Sequence, residues 1–169
     1  HVSPILVRDA HTSDFLKTIQ IDTQVVCDPT LLVEKSIFYR PYQSKLLNEL
    51  PFILVYSYGL SDQIVKSIRT FARRNNLRIL SACFPFPWCD GVFDCAALDF
   101  CAVLEQAKYV FTSTFHGTIF SVLNHKQFVS IPQSRKTSDL LEVLNLSERL
   151  VGSEECDSAE LQEKLANQT

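Results

Sequence analysis

Short apolar runs alternate with amphipathic stretches along most of the chain. The apolar runs have the length and the β-branched or aromatic content of strands. They predict strands at residues 4–7, 25–27, 52–56, 77–82, 109–112 and 128–131. The amphipathic stretches carry apolar residues at the spacing of one helix face. They predict helices at residues 12–19, 61–74, 98–107, 117–123, 138–144 and 158–166.

The helix predicted at 61–74 has the clearest apolar face. Its inward positions are Ile64, Val65, Ile68, Phe71 and Ala72. Ser and Asp are favoured N-caps because their side chains accept a hydrogen bond from the first helical turn. Ser61 or Asp62 is therefore expected to cap this helix, and Thr12 or Ser13 the first one.

Strands that alternate with helices and are apolar on both faces indicate a parallel sheet covered on two sides. We interpret residues 1–169 as one Rossmann-like α/β domain with helices on both faces of the sheet. In such sheets ligands bind beyond the carboxyl ends of the strands. This rule points to the turns after Val7, Thr112 and Ile131. Residues 34–50 and 84–97 are predicted to be irregular, and the second, which holds Pro85, Pro87, Trp88 and Gly91, to be the most mobile loop.

Composition and charge narrow the class of protein. Of 169 residues, 46% are hydrophobic and 21% charged, which excludes a disordered or coiled-coil chain. The net charge is −3 and no Lys/Arg run appears, so neither nucleic acid nor an anionic membrane is an expected partner. No apolar stretch reaches the roughly 18 residues that a transmembrane helix needs.

Six cysteines occur, at positions 27, 83, 89, 95, 101 and 156, and four of them recur at every sixth residue. This spacing fits no familiar zinc motif. We expect free thiols in a reducing compartment, with disulfides or a metal site as less favoured alternatives. Methionine is absent, which we interpret as the mark of a piece excised from a longer protein.

The turn after the strand at 109–112 carries the strongest candidate chemistry. It gathers the hydroxyls of Ser113 and Thr114, then His116 and Gly117, at the start of a predicted helix. Backbone N–H groups at a helix start attract anions, and a His there can exchange a proton near neutral pH. The alternative is structural: His116 caps the helix and Gly117 eases the turn.

Cations follow two other predicted strand ends. Arg8 follows the first strand, and its planar guanidinium suits a phosphate or carboxylate unless it pairs locally with Asp9. Arg135 and Lys136 follow the last strand, and the alternative for them is a solvated loop. The chain has no GxGxxG motif, no P-loop and only four glycines, so a Gly-rich phosphate loop is not expected. We predict no cofactor, and no group of residues is predicted as metal ligands.

Four segments resemble one known family. Residues 7–9 (VRD) are similar to its V-R-[DE] strand end, and residues 27–32 (CDPTLL) to its D-P-[TV]-L-L element. Residues 112–121 (TSTFHGTIFS) are similar to its [ST]-x-[FL]-H-G segment and apolar helix. Residues 138–149 (SDLLEVLNLSER) are similar to its closing helix. The chain thus resembles the polysaccharide pyruvyl transferase family, specifically its C-terminal half.

The resemblance implies the C-terminal, donor-binding domain of a two-domain GT-B-type transferase, incomplete without its own N-terminal domain. By resemblance, the complete enzyme would transfer pyruvate from phosphoenolpyruvate onto a polysaccharide or lipid-linked sugar and form a ketal. By resemblance, Arg8 and His116 bind the donor, and Lys136, beside Arg135, falls where some members carry a further cation. A bacterial cytoplasmic setting follows from the family and the free thiols, with the inner membrane face as an open alternative.

The sequence departs from the family at one position. Several members carry Arg two residues before the motif His, where this chain has Thr114. Arg135 or Lys136 would have to replace that cation, with Ser113 and Thr114 lending hydroxyls and Gly117 opening the helix. Two alternatives stay open: a GT-B-like glycosyltransferase with a nucleotide-sugar donor, and a non-catalytic domain that binds a sugar or an anion.

Overall fold

The computed structural model describes residues 4–38, 40–48, 51–152 and 156–168. The strands of this part are β1 (Ile5–Val7), β2 (Thr23–Val25), β3 (Phe52–Tyr56), β4 (Arg78–Ala82), β5 (Gly91–Phe93), β6 (Tyr109–Thr112) and β7 (Phe128–Ser130). Its α-helices are α1 (Ala10–Thr18), α2 (Asp62–Arg74), α3 (Ala97–Gln106), α4 (Phe115–Leu123), α5 (Arg135–Val143) and α6 (Ser158–Ala166). Single 3₁₀ turns lie at Pro29–Leu32, Lys35–Phe38, Lys45–Asn48 and Ser147–Arg149.

Five parallel strands form the main sheet in the order β5-β4-β3-β6-β7. The central strand β3 is buried on both faces because successive side chains point to opposite sides of a sheet. Ile53 and Val55 pack with α2 and α6 on one face, whereas Phe52 and Leu54 pack with α3 and α5 on the other. The Rossmann-like fold with helices on both faces is therefore confirmed. The strand order reverses between β3 and β6, which is where such sheets bind ligands.

The prediction that the first strand belongs to the main sheet is wrong. β1 pairs only with β2 among the described strands, in a separate two-stranded parallel sheet, with Ile5 opposite Thr23 and Val7 opposite Val25. Of the three residues in β1 only Val7 is buried, and Leu6 is 62% exposed. An apolar run predicts a strand but carries no information about which sheet the strand joins, so the sequence could not separate the two sheets.

The structure also corrects two predicted details. Helix α1 begins at Ala10, and its cap is Asp9, whose carboxylate accepts the Thr12 N–H at 2.7 Å. Thr12 and Ser13 are thus not caps, and the Ser13 hydroxyl instead bonds that of Thr23 at 2.7 Å. Within the stretch 84–97, predicted to be irregular, lies the edge strand β5, which is too short for a recognisable apolar run.

Helices α4 and α5 begin earlier than predicted, at Phe115 and Arg135. This places His116 and Lys136 in first helical turns rather than in loops. None of the helices in the described part of the chain has the length and apolar content that a bilayer crossing requires.

Candidate functional site

The turn from β6 into α4 is fixed by a set of buried hydroxyls. The Thr112 hydroxyl donates to the Tyr56 carbonyl at 2.7 Å and accepts the Thr114 N–H at 3.0 Å. The Thr114 hydroxyl in turn accepts the Gly117 N–H at 2.9 Å and so caps α4. Strand β3, strand β6 and the start of α4 are therefore tied together at the reversal point of the sheet.

Gly117 occupies a place that no larger residue fits. A Cβ atom there would collide with the Thr112 hydroxyl and would lie 2.7 Å from the Thr114 hydroxyl. Real Cβ atoms essentially never approach that closely. The glycine is therefore required by the close approach of α4 to the end of β6.

Ser113 and Thr114 are buried, and their hydroxyls have partners inside the protein. The Ser113 hydroxyl lies 2.7 Å from that of Ser57, which in turn donates to the Gly59 carbonyl. The prediction that Ser113 and Thr114 lend hydroxyls to a ligand stays a prediction. In this structure their bonds hold the turn in place. The first N–H groups of any helix lack intrahelical partners, and those of a helix start such as that of α4 are suited to binding an anion.

His116 is exposed on the first turn of α4. Its ring meets Phe115 edge to face, with ring centroids 5.7 Å apart and an interplanar angle of 82°. The imidazole is thus held beside an aromatic ring and is open to solvent. A His in this position can exchange protons with a ligand at the end of β6.

Arg8 reaches this turn from the other sheet. Its guanidinium carbon lies 4.8 Å from the centroid of the Phe115 ring, within the distance of a cation–π contact. Its Nη1 also donates to the Asp28 carboxylate at 3.2 Å. Because Asp9 caps α1, the local pairing of Arg8 with Asp9 that the sequence left open gives way to an ion pair across the sheet.

Asp28 and Asp9 are buried carboxylates near the cations Arg8 and Lys136. Burial by itself raises the pKa of Asp28, but hydrogen bonds from Thr30 and the contact with Arg8 outweigh it, so the pKa is lowered overall. Burial likewise opposes ionisation of Asp9, yet the bonds from Thr12 and the charges of Lys136 and Arg8 lower its pKa overall. Both carboxylates are therefore ionised at neutral pH.

A cavity of about 210 Å³ brings several of these groups together. Arg8 and Lys136 line it, as does Phe115, and its walls are largely apolar side chains of β2 and α5. Three carboxylates also line it, those of Asp9, Asp28 and Asp139. Two cations that are far apart in sequence thus line one cavity, and the three carboxylates offset their positive charge.

The predicted site residues divide into two groups. Arg8 and Lys136 meet at the cavity, and Phe115 links the cavity to His116. Ser113, Thr114 and Gly117 instead build the turn beneath His116, and Arg135 lies exposed at the start of α5, outside the cavity lining. Sequence reasoning missed Asp28, Phe115 and Asp139. Asp28 and Phe115 stand inside the recognised motifs CDPTLL and TSTFHG, which was the available signal.

Within the described residues, no three His, Cys, Asp or Glu side chains come close enough together to ligate a metal ion.

Solved structures define the class of fold. UDP-GlcNAc 2-epimerase from Methanocaldococcus jannaschii, in complex with UDP-GlcNAc and UDP, matches with a TM-score of 0.66 at 12% identity, over 99% of this chain and 55% of that chain. The MnaA–UDP co-structure from S. aureus matches with a TM-score of 0.67 at 11% identity, over 98% and 52%. Spinosyn forosaminyltransferase SpnP matches with a TM-score of 0.52 at 13% identity, over 87% and 41%. The chain therefore has the Rossmann-like fold found in GT-B glycosyltransferases and UDP-GlcNAc 2-epimerases.

The family follows from the sequence. The family model for polysaccharide pyruvyl transferase matches residues 1–135, and the chain belongs to this family of transferases. No curated protein matches the sequence. The chain spans about half the length of the two UDP-binding proteins that it resembles in structure.

Proposed function

We propose that this chain is the donor-binding half of a polysaccharide pyruvyl transferase. The complete enzyme would transfer pyruvate from phosphoenolpyruvate onto a sugar of a cell-surface polysaccharide or exopolysaccharide and form a ketal. The observation that carries the proposal is the contact of Arg8 with Phe115 at 4.8 Å. This contact brings Arg8, the proposed anion-binding residue beside the β1–β2 sheet, to Phe115, which precedes His116 at the end of the main sheet.

Arg8 keeps binding capacity despite its ion pair. A guanidinium has five N–H donors in a planar fork. Asp28 accepts one of them at 3.2 Å, and the Arg8 side chain is 40% exposed. The remaining donors can therefore bind the carboxylate or phosphate of the donor while Asp28 and Phe115 fix the plane of the group.

Lys136 supplies the second cation in this proposal. It lines the same cavity as Arg8 and stands in the first turn of α5, with Arg135 beside it. Lys136 thereby takes the place of the Arg that several family members carry where this chain has Thr114. Thr114 itself caps α4 and is buried, so it contributes by shaping the helix start rather than by charge.

His116 is the proposed general acid. Ketal formation begins when a proton is added to the methylene carbon of phosphoenolpyruvate, and positive charge then develops at the central carbon. One sugar hydroxyl attacks that carbon, phosphate leaves, and a second hydroxyl closes the ring. A single well-placed acid contributes about 10²–10⁴-fold to such a rate. The exposed imidazole on the first turn of α4 is placed to give this proton.

The partner of this half is proposed to be a preceding domain of the same protein. Parallel sheets normally occur as larger assemblies with both faces covered, yet the β1–β2 sheet has two strands in the described part of the chain. Leu6 and Val25 on it are largely exposed, as is Phe15 on α1. Since the chain spans about half of its structural relatives, further strands of the complete protein would cover this surface and carry the acceptor site. In the complete protein a Leu6→Cys thiol should then react slowly with a maleimide and a Gln63→Cys thiol on α2 rapidly, and equal rates would contradict this arrangement.

Donor binding tests the main proposal. Calorimetry on the complete protein should show saturable binding of phosphoenolpyruvate, with inorganic phosphate and a UDP-sugar as controls. Arg8→Gln should weaken it tenfold or more, about 1.4 kcal/mol, whereas Arg69→Gln on the exposed face of α2 should not. His116→Asn should abolish turnover, and His125→Asn, which keeps a residue tolerant of the left-handed backbone there, should leave it intact.

The second candidate is transfer from a nucleotide sugar. It is favoured by two structures of similar fold that hold UDP, and by the absence of Arg at position 114. Binding of the UDP-sugar without binding of phosphoenolpyruvate would replace the main proposal by this one. Binding of the donor with no turnover of any acceptor would instead indicate a non-catalytic anion-binding domain.

A further inference from the structure

Two of the regularly spaced cysteines meet at the carboxyl edge of the main sheet. Cys83 directly follows β4, and Cys95 lies two residues beyond the end of β5. Their sulfur atoms are 3.9 Å apart, and the Cys83 sulfur also lies 3.7 Å from the Cys95 carbonyl oxygen. Cys83 is exposed and Cys95 is half-buried. We propose that Cys83 and Cys95 form a reversible thiol–disulfide modification site that reacts with small-molecule disulfides of the glutathione class.

The backbone holds the two cysteines at neighbouring strand ends. β4 and β5 pair with Ala82 opposite Phe93, and the Cys83 N–H continues the ladder by donating to the Phe93 carbonyl at 3.0 Å. One residue further along this register Cys83 is level with Asp94, so Cys95 follows the directly opposed position by one residue. Closing the sulfur–sulfur distance from 3.9 Å to the roughly 2.05 Å of a disulfide requires the two sulfur atoms to approach by about 2 Å.

The backbone of Cys83 also has an uncommon conformation. Its φ of 65° lies in the left-handed region, which Gly adopts freely and Asn tolerates, whereas other residues with a Cβ atom are disfavoured there. Gln20 and His125 lie in the same region, so the proposal rests on the closeness of the two sulfur atoms and not on this conformation.

The exchange proceeds in two balanced steps. The Cys83 thiolate attacks a disulfide RSSR, forming a mixed disulfide and releasing one thiolate, RS⁻. The Cys95 thiolate then attacks the Cys83 sulfur and releases the second RS⁻. Two protein thiols are thereby oxidised, one small disulfide is reduced to two thiols, and the two protons from the cysteines pass to the released thiolates. Burial raises the pKa of Cys95, and the neighbouring Cys83 adds to the effect, which agrees with Cys83 as the first to attack.

A disulfide between Cys83 and Cys95 would close a covalent loop that contains Phe84. The Phe84 ring packs on Tyr58 and Tyr56 at the end of β3, with centroids 5.3 and 6.0 Å apart. Ser57, between these tyrosines, bonds the Ser113 hydroxyl of the proposed donor turn. The modification therefore joins the loop between β4 and β5 to the edge of the sheet where ligands bind. The formation of the link itself does not depend on the proposed function.

The test uses the complete protein and oxidised glutathione, with peptide mapping by mass spectrometry. In the wild type, the peptides containing Cys83 and Cys95 should be joined, with the loss of two hydrogen atoms. Cys95→Ser should stop the reaction at a glutathione adduct on Cys83, and Cys83→Ser should abolish both products. Cys27→Ser, which removes an exposed thiol elsewhere, should leave the link unchanged.

Three results would overturn the proposal. One is a wild-type protein that accumulates the glutathione adduct on Cys83 without closing the link. Another is a link from Cys83 to Cys89 instead of to Cys95. The third is an unmodified Cys83 under conditions in which the exposed Cys27 has fully reacted.

Discussion

Replacing Gly117 by Ala sets two opposed effects against each other. In a helix, Gly→Ala normally stabilises by up to about 1 kcal/mol because glycine loses more backbone entropy on folding. Here the added Cβ would meet the hydroxyls of Thr112 and Thr114. We therefore expect the opposite sign for this substitution.

The magnitude follows from the bonds that must give way. Overpacking in a closed site costs about 1–3 kcal/mol. Moving the Thr114 hydroxyl loses the cap of α4, worth about 1 kcal/mol. Rotating Thr112 removes its bond to the Tyr56 carbonyl, which then keeps only the longer bond from the Ser113 N–H at 3.4 Å, and this loss costs about 0.5–1.5 kcal/mol. After the helix gain is subtracted, Gly117→Ala should destabilise the protein by about 2–4 kcal/mol.

Urea unfolding followed by circular dichroism measures this effect. With a slope of about 2 kcal/mol per molar urea, the midpoint should fall by about 1–2 M. Gly152→Ala is the matched control, because an added Cβ there meets nothing within 4 Å, and it should not destabilise. In a Thr112→Ala background Gly117→Ala should cost less, since one of the two hydroxyls in its way is gone. A Gly117→Ala protein as stable as the wild type would refute the reasoning.

Two further predictions concern buried polar groups. Gln168 donates to the Phe128 carbonyl and accepts the Phe128 N–H, both at 2.8 Å, so Gln168→Ala should lower the unfolding free energy by about 2 kcal/mol, whereas the exposed Gln63→Ala should not. The folded-state pKa values of Asp9 and Asp28 are lowered, so their contribution to stability is complete above the unfolded pKa and is lost as the pH falls through the folded pKa. Thermal melts should therefore lose stability below about pH 4, with a smaller loss in Asp28→Asn; melts that do not change with acid would contradict the pKa directions.

The main sheet could be predicted because its strands differ clearly from their surroundings. Four of the five residues of β3 are fully buried, and a continuous apolar run is the signal of a strand covered on both faces. β5 gave no such signal, since of Gly91, Val92 and Phe93 only the last is buried. Its pairing with β4 depends on tertiary contact rather than on local composition.

Helix starts were predicted less well than strands for a physical reason. Asp9, Thr12 and Ser13 are all acceptable caps by side-chain chemistry. Which one caps α1 depends on where β1 ends and on the bond that Ser13 finds with Thr23 on β2. That competition involves a residue from another strand and is invisible in a local window.

The candidate site shows the same division between local and tertiary information. His116 and Gly117 were found because one short segment contains both, and Arg8 because it follows a strand. The ion pair of Arg8 with Asp28 spans two strand ends, and its contact with Phe115 spans two sheets. Neither could be derived without knowing that β1 leaves the main sheet.

The Arg8–Asp28 ion pair also holds the guanidinium in one orientation at a cavity that three carboxylates line. A lone guanidinium at the cavity would sample many rotamers, and ordering it would cost free energy on binding. The Asp28 carboxylate and the Phe115 ring fix it beforehand, with the pKa of Asp28 lowered by the Thr30 bonds and by Arg8 itself. In the proposed donor site an arriving anion would meet an ordered group, but it would also have to overcome the negative charge of Asp28. We therefore expect the proposed site to favour a ligand with more than one negative group, able to contact Arg8 and Lys136 together.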